Sequence, residues 1–552
     1  MLKSFIANGR AILLRRQTNI ISAAFVIAFF YGASMILGIL RDRLLVGHFY
    51  ACCRTELDVY WAAFRLPDAI FQLLVIGALS AAFIPVFTQY LFKNEKEAYH
   101  IASSLINILL IIFAFLVFLV FIFARPLSEM ITGNFSGEQV DLMVTLTRIM
   151  LAAQLFFLLS NFLTGMIQSH QRFLVPALSP VVYNLGIIFG IVVLSPSLGI
   201  YGPTIGVVVG AVLHFLVQLP ILRRIGFTYH FSFDFNHPGV REIGRLMLPR
   251  SLSLGISQIE ATVALFIATS LTAGSLTIFY LASHLMQLPV RLVGIPIGQA
   301  TLPVLSQKGQ DEFEVFKRIF LSSFWQILYL VFPITAILLI LRIPIVRLAF
   351  GAKGFPWEAT VLTAQALAVF SLAIIAQAVI QLLIRGFYAL HDTKIPLYTG
   401  VLSVLVNVIL SIWLTFGLGM GILGLAMAMS TASFLQATLL LIFLDRKVNF
   451  EKSLFLIPLL KMGSATLVTG IFLWIPMKFL DRFILDTTYT INLLLLTITA
   501  SIVGVGVYLF FSWVFKIEEL KAYTGLAKRL GQWRQVLQES EEILDPQTRS
   551  QN

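Results

Sequence analysis

The sequence predicts an all-α polytopic membrane protein of about fourteen transmembrane helices, arranged as two six-helix repeat lobes followed by two extra C-terminal helices. Three observations carry this reading. Hydrophobic residues make up 58% of the 552-residue chain, charged residues only 12%, and the mean hydropathy is +0.90. That is far more apolar than a soluble globular chain, which is roughly 45–50% apolar and about 25% charged. Apolar windows of about 20 residues, each long enough to cross the hydrocarbon as a helix, fill nearly the whole sequence. Short matches then recur at a nearly constant offset between the two halves.

The first lobe, 20–222, follows a basic segment at 1–19 and holds spans at 20–40, 69–92, 101–124, 144–167, 174–194 and 200–222. The first apolar run has no small-residue cleavage site after a short core, so it reads as a retained helix. A linker at 223–245 leads to the second lobe, 246–444, with spans at 246–271, 276–305, 319–341, 359–384, 397–416 and 422–444. Thr272, Ala273, Gly274 and Ser275 alone separate the first two of these. Spans at 456–477 and 491–515 occupy 445–515, and 516–552 reads as a charged tail with one short helix. Lysine and arginine concentrate on the side of the N-terminus, at Lys93, Lys96, Arg172, Arg223, Arg224, Lys317, Arg318, Arg446 and Lys447. Cytoplasmic loops carry that excess, which predicts both termini in the cytoplasm.

The repeat rests on four matches in the same order. Pro85 and Gln89 of "FIPVFTQ" answer Pro303 and Gln307 of "TLPVLSQ"; "GMIQSH" ending at His170 answers "GFYALH" ending at His391; "GIYG" from Gly199 answers "GILG" from Gly421; and Asn184 answers Asn407. An even number of spans per repeat keeps both lobes in the same orientation.

The net charge of +12 is spread over short loops beside lipid, so it reports topology rather than nucleic-acid binding. Cys52 and Cys53 are the only cysteines; a bridge between adjacent residues is strained, and a metal site would need further ligands. Neither a Walker loop, a dinucleotide glycine fingerprint nor a nucleophile elbow is present, which argues against an enzyme and against ATP-driven transport. An ion gradient, the membrane potential or the substrate's own gradient remains as the driving force.

Ionisable groups at membrane depth cost at least about 2.5–3.5 kcal/mol on insertion scales and face water or one another. Arg41, Asp42, Asp58, Arg65, Asp68, Arg250, Glu260, His284 and Arg291 are such groups, mostly on the first two helices of each lobe. They form a net cationic set where repeat transporters bind substrate, and arginine's planar fork suits phosphate. Arg41, Asp58, Arg65, Arg250, His284 and Arg291 are the candidate substrate contacts; Asp42, Asp68 and Glu260 are coupling or structural charges. Two roles stay open for Glu260, a proton or monovalent-cation coupling site and a salt-bridge partner of Arg250. Arg41, Asp42 and Arg43 can equally anchor a helix end, and Arg148 and Lys461 can snorkel. Pro67, Pro85, Pro289, Pro296 and Pro303 interrupt the second and eighth spans, and bent helices of this kind line cavities.

The stretches "RDRLLVGHFY", "LDVYWAAFRLPD", "GALSAAFIPVFTQY", "RFLVPALSPVVYNLGI", "AGSLTIFYLASHLMQLPVRLVGIPIGQATLPVLSQ" and "FYALHDTKIPLYTG" resemble the MurJ/MviN family of lipid II flippases, from about residue 34 to 444. The wider multidrug/oligosaccharidyl-lipid/polysaccharide exporter superfamily is similar with less detail. The resemblance implies transfer of lipid II, the undecaprenyl-pyrophosphate-linked peptidoglycan precursor, between leaflets by alternating access, in cell-wall biosynthesis at the bacterial inner membrane. It implies a cationic cavity for the head group, matched by Arg41, Asp58 and Arg65, and a groove for the lipid tail formed partly by the last two helices. Membrane lipids and cell-wall synthesis proteins are the implied partners, with no nucleic acid and no cofactor beyond a coupling ion. The chain departs from the family at Met35, Phe71 and Ile76, where charged residues are usual, and at Ala282-Ser283-His284-Leu285-Met286-Gln287, where Ala-Asp-Arg-Leu-Met-Glu is usual. Two other readings stand beside it, an exporter of another polyprenyl-linked oligosaccharide and a non-transporting scaffold.

Overall fold

The computed structural model describes residues 20–76, 82–308, 313–451 and 453–521, and no strand occurs among them. The basic segment 1–19 and the tail beyond 521 lie outside the described residues. The chain divides into two compact units, the first reaching Gly274 and the second starting at Ser275. The boundary falls one helix later than the repeat suggests, because the helix at 238–269 packs within the first unit.

In the first unit the helices run α1 (Ile20–Ala63), α2 (Arg65–Phe71), a π turn (Gln72–Ile76), α3 (Ile84–Lys93), α4 (Glu95–Ile122), α5 (Ala124–Ile131) and α6 (Gly137–Ser169). They continue as α7 (Leu174–Phe189), a second π turn (Gly190–Leu194), α8 (Ser195–Leu198), α9 (Tyr201–Leu216), α10 (Leu219–Arg224) and α11 (Pro238–Thr269). The second unit holds α12 (Ser275–Pro289), a π turn (Val290–Gly294), α13 (Ile295–Lys308), α14 (Phe313–Ile340), α15 (Arg342–Phe350) and α16 (Trp357–Ala389). After these come α17 (Lys394–Ile412), a π turn (Trp413–Gly417), α18 (Ile422–Val448), α19 (Ser453–Phe483) and α20 (Thr490–Val514).

Eleven helical stretches among the described residues are long and apolar enough to cross a membrane, and each overlaps one of the fourteen expected spans. The three outside this group are the first, second and seventh, each of which includes residues whose backbone or side chains lie outside the described ones. The second corrects the sequence reading. Its helical backbone starts at Arg54 rather than 69, because Cys53 breaks the 44-residue α1 with φ −143° and ψ 46°. Asp58 and Arg65 therefore stand on helix, as their seven-residue spacing suggests, although they lie ahead of the expected bounds 69–92.

Lipid supplies little hydrophobic drive for one helix to leave it for another, so close backbone approach and internal hydrogen bonds must hold helices together. The α7 and α9 pair shows this. Gly186 and Gly190 on one helix meet Gly202, Gly206 and Gly210 on the other, and a Cβ built at Gly186 would lie 2.4 Å from the Gly210 Cα. Beside this pair an aromatic core forms where the Phe83 ring stacks on Phe87 at 5.2 Å and meets Phe162 edge-on at 5.2 Å. Phe115, Phe118 and Phe121 of α4 stay exposed, as expected of residues facing acyl chains.

Residues 225–237, in the stretch read from sequence as a linker, are pinned along α4. Asn107 donates to the Ser232 carbonyl at 2.9 Å, Tyr229 donates to the Asn107 Oδ1 at 2.6 Å, and Tyr99 donates to the Ile225 carbonyl at 2.6 Å.

The backbone repeats where the side chains barely do. Gly199 and Gly421 share an unusual conformation, φ 55°, ψ −135° and φ 56°, ψ −133°, that side-chain-bearing residues avoid. A π turn recurs in the second helix of each half, Gln72–Ile76 and Val290–Gly294, and in the fifth, Gly190–Leu194 and Trp413–Gly417. Pro289 and Pro296 flank one of them, so the irregularity expected from the prolines is present. The turn after α6 and its counterpart after α16 correct one pairing. Gln171 (φ 58°) and His391 (φ 56°) are equivalent, closed by Arg172 N–H to Ile167 and Asp392 N–H to Phe387; His170 is thus one residue out of register with His391.

Asp392 ties that second turn to α18. Its carboxylate accepts the Lys447 ammonium and the backbone N–H groups of Lys394 (2.9 Å) and Ile395 (3.2 Å). Partial burial works against ionisation, but the Lys447 contact and the two backbone donors outweigh it and hold the carboxyl below its usual 3.8. A depressed carboxyl stabilises the fold above its unfolded pKa, and that contribution disappears as pH falls through the folded one. Asp392→Ala is expected to cost about 1–2 kcal/mol at pH 7, with the gap to the parent closing below the ordinary carboxylate range, as read by melting of purified protein across pH.

Candidate functional site

The end of the first apolar helix places Arg41 and Asp42 against α7. Adjacent helical residues do not face each other, so the Arg41 side chain must fold back for its Nε and Nη2 to reach Asp42 Oδ1 at 2.9 and 2.7 Å. The other Nη donates to Asn184 Oδ1 at 3.3 Å, while Asn184 Nδ2 donates to the Ser34 hydroxyl at 3.1 Å. Asp42 is only 3% exposed, and a buried carboxylate of this kind requires its cation. Asn184, noticed in the sequence only as half of a repeat match, thus joins α1 to α7 at the charge pair. Its counterpart Asn407 accepts a hydrogen bond from the Ser411 hydroxyl at 3.1 Å.

Asp58 and Arg65 face a different partner. Asp58 is 4% exposed and accepts the Gly274 N–H at 2.6 Å, in the turn that ends the first unit. Arg65, 8% exposed, is directed at α11: Nη2 donates to the Gln258 carbonyl at 2.7 Å and to Gln258 Oε1 at 2.6 Å, and Nε donates to the Thr262 hydroxyl at 3.0 Å. Gln258 Nε2 donates onward to Gln72 Oε1 at 2.8 Å, and the Ser251 hydroxyl donates to the Leu73 carbonyl at 2.6 Å. Both acceptors lie in the first π turn. The irregular backbone of the second helix is thereby held by α11, which meets the requirement that non-helical backbone at membrane depth find partners.

Asp68 is half-buried on α2, beside Gln154 of α6. Glu260 is half-buried on α11, and the side chain of Arg250 lies outside the described residues. In the second unit His284 is half-buried on α12, its ring 6.1 Å from that of Tyr280. Arg291 is exposed in the π turn and donates to Gln287 Oε1 at 2.8 Å. The structure therefore brings Arg41 together with Asp42, and binds Asp58 and Arg65 to α11 and its following turn. His284 and Arg291 stand two turns apart on an interrupted helix.

Two features escaped the sequence reading. Gln258 and Thr262, four residues apart on one face, were legible only as polar interruptions of an apolar helix. A buried polar cluster in the first unit joins Ser160, Ser179, His214 and Gln218: Gln218 Nε2 donates to Ser160 Oγ at 2.7 Å and to Ser179 Oγ at 3.3 Å, and Ser160 Oγ meets the His214 ring. The second unit also carries a groove of about 580 Å³ between α14, α16 and α19, lined almost wholly by apolar atoms of residues such as Phe332, Leu339, Leu372, Leu467 and Trp474. Gly463 and Gly470 form part of its wall, with no neighbouring atom within 4 Å of a Cβ built on either.

Comparison with known proteins places these helices in context. Residues 53–494 match the family described as "Lipid II flippase MurJ". The lipid II flippase MurJ of Burkholderia cenocepacia is 27% identical over 478 residues, covering 84% of this chain and 91% of that protein. A solved structure of lipid II flippase MurJ in an inward closed conformation superposes with a TM-score of 0.73 at 25% identity, over 90% of this chain and all of the other. An inward-facing multidrug resistance MATE family transporter of the MOP superfamily shares the fold, with a TM-score of 0.62 at 15% identity over 77% of this chain and 98% of its own. The match begins at the break between the first two helices and runs into the last one, which makes this multi-span membrane chain a member of the lipid II flippase MurJ family.

Proposed function

We propose that this chain moves lipid II from the inner to the outer leaflet of the bacterial cytoplasmic membrane by alternating access, with both termini in the cytoplasm. The observation that carries the reading is the family match across 53–494, within which the charged second helix and the α14/α16/α19 groove both fall. The substrate has two chemically distinct parts. A pyrophosphate-linked head group calls for cations, for which Arg41, Arg250, His284 and Arg291 are the candidates; Asp58 and Arg65 act by positioning α11. The polyprenyl tail calls for a long apolar surface, and the groove supplies one. Asp42, Asp68 and Glu260 are the groups through which a proton or a monovalent cation would couple to transport. The changed residues at Met35, Phe71, Ile76 and 282–287 favour, as a second reading, a related polyprenyl-linked oligosaccharide.

The direct test supplies this protein in trans to cells depleted of their own flippase and measures lipid II exposed on the outer leaflet at verified abundance. Restored exposure supports lipid II; no exposure from well-inserted protein favours the second reading. Filling the groove gives a second check. Gly463→Leu has room at its own position, so the protein should fold and insert normally. The added side chain displaces tail contacts, and transport is expected to fall about three- to tenfold through loss of roughly 1 kcal/mol of tail contact.

A further inference from the structure

A second cavity, of about 700 Å³, lies in the second unit where α14 begins, α18 hands over to α19, and α20 ends. These three chain positions share one side of the membrane by connectivity. Arg318, Lys461 and Lys516 line it together with Glu451, Glu518 and Glu519. Lys317 and Glu314, also on the wall, pair with each other at 2.6 Å. Among the described residues, none of the other six makes an ion pair within 4.0 Å, although charges of both signs surround the same space. Trp325 forms part of the wall, and Lys461 stands on α19 about 12 Å from the helix start, at a depth suited to lipid phosphates.

We propose that this cavity binds the head group of a membrane phospholipid that carries a primary amine next to its phosphate, of the phosphoethanolamine class. Basic pockets between transmembrane helices recognise lipid phosphates. A purely anionic head group would set its charge against three carboxylates here. A phosphate between Arg318 and Lys461 with an ammonium turned to Glu518 and Glu519 satisfies both signs, and an ammonium, unlike a trimethylated amine, donates hydrogen bonds to carboxylates. Burial raises the Glu519 carboxyl above its usual range, Glu518 adds to the rise and Lys461 opposes it, so a ligand cation at this point relieves the crowding.

The test uses full-length protein stripped of lipid in detergent and offered an equimolar mixture of phosphatidylethanolamine, phosphatidylcholine and phosphatidylglycerol, with retained lipid counted by native mass spectrometry. Phosphatidylethanolamine should be retained about fivefold over phosphatidylcholine, the effect of one well-placed charge contact. The double change Glu518→Gln and Glu519→Gln should erase that preference, and Arg318→Ala with Lys461→Ala should reduce retention of every phospholipid, while Lys461→Arg preserves it. Soluble glycerophosphoethanolamine should displace the bound lipid from the unaltered protein, a readout that needs no variant to fold. Equal retention of the ethanolamine and choline lipids, preference for the glycerol lipid, or a preference that survives the double Gln change overturns the assignment.

Discussion

Arg65→Ala is expected to lower lipid II exposure at the outer leaflet by at least about tenfold at unchanged protein abundance, because it removes the three hydrogen bonds that fasten the second helix to α11. A hydrogen bond to a charged group contributes about 1.5–3 kcal/mol, and Gln258, 8% exposed, would be left with its carbonyl and side-chain oxygen unmet by the guanidinium. Arg65→Lys should recover little, since an ammonium cannot reach Gln258 and Thr262 in the planar fork that arginine provides. Thr262→Val, which deletes the contact at 3.0 Å and the hydroxyl's own bond to the Gln258 carbonyl but leaves both Nη2 contacts of Arg65, should cost far less. Asp58→Ala belongs to the same experiment, as it frees the Gly274 N–H at the other end of α11. Wild-type exposure in both Arg65→Ala and Asp58→Ala would show that neither tie matters to transport.

Gly186→Leu should be the most damaging single substitution for the fold of the first unit. Even a Cβ at this position comes within 2.4 Å of the Gly210 Cα and 2.5 Å of its backbone nitrogen, so α7 and α9 must separate before any side chain fits. The neighbouring contacts of Gly190 and Gly206 would be lost with it. Overpacking of a tight interface costs about 1–3 kcal/mol and more where backbone must move, which predicts a melting temperature several degrees lower and poor recovery from membranes. Gly463→Leu is the matched control, with the same side chain added where nothing stands within 4 Å. Equal thermal stability of the two variants would refute the close-packing account.

Hydropathy made most of the helices legible, since eleven expected spans are continuous runs of apolar residues with few charges. Residues 54–63 were not, because Arg54, Glu56 and Asp58 make that helix look like a loop, while a buried acceptor site for the Gly274 N–H leaves no mark on local composition. The prolines announced irregular backbone, but a π turn has no period that a sequence displays. The charges were found by their cost in lipid; their partners were not, because glutamine and threonine at 258 and 262 carry no such cost and signal nothing alone. Matching letters also misled by one residue at His170, where the backbone equates Gln171 with His391.

The recurring π turns bear on how this family can change length. Each contains, in effect, one residue more than a regular helix needs, so deleting a single residue within Val290–Gly294 would restore regular α-helix there without loss of backbone hydrogen bonding. Because the wide turn already absorbs the rotation of about 100° that one extra residue would impose, the same deletion would leave the downstream side chains facing nearly as they do now. Thr301, downstream of Val290–Gly294, would keep its hydroxyl directed at Ser323. Loss of one residue at such a turn is therefore neutral both to helicity and to the facing of the residues beyond it, whereas the same loss in regular helix would turn everything downstream.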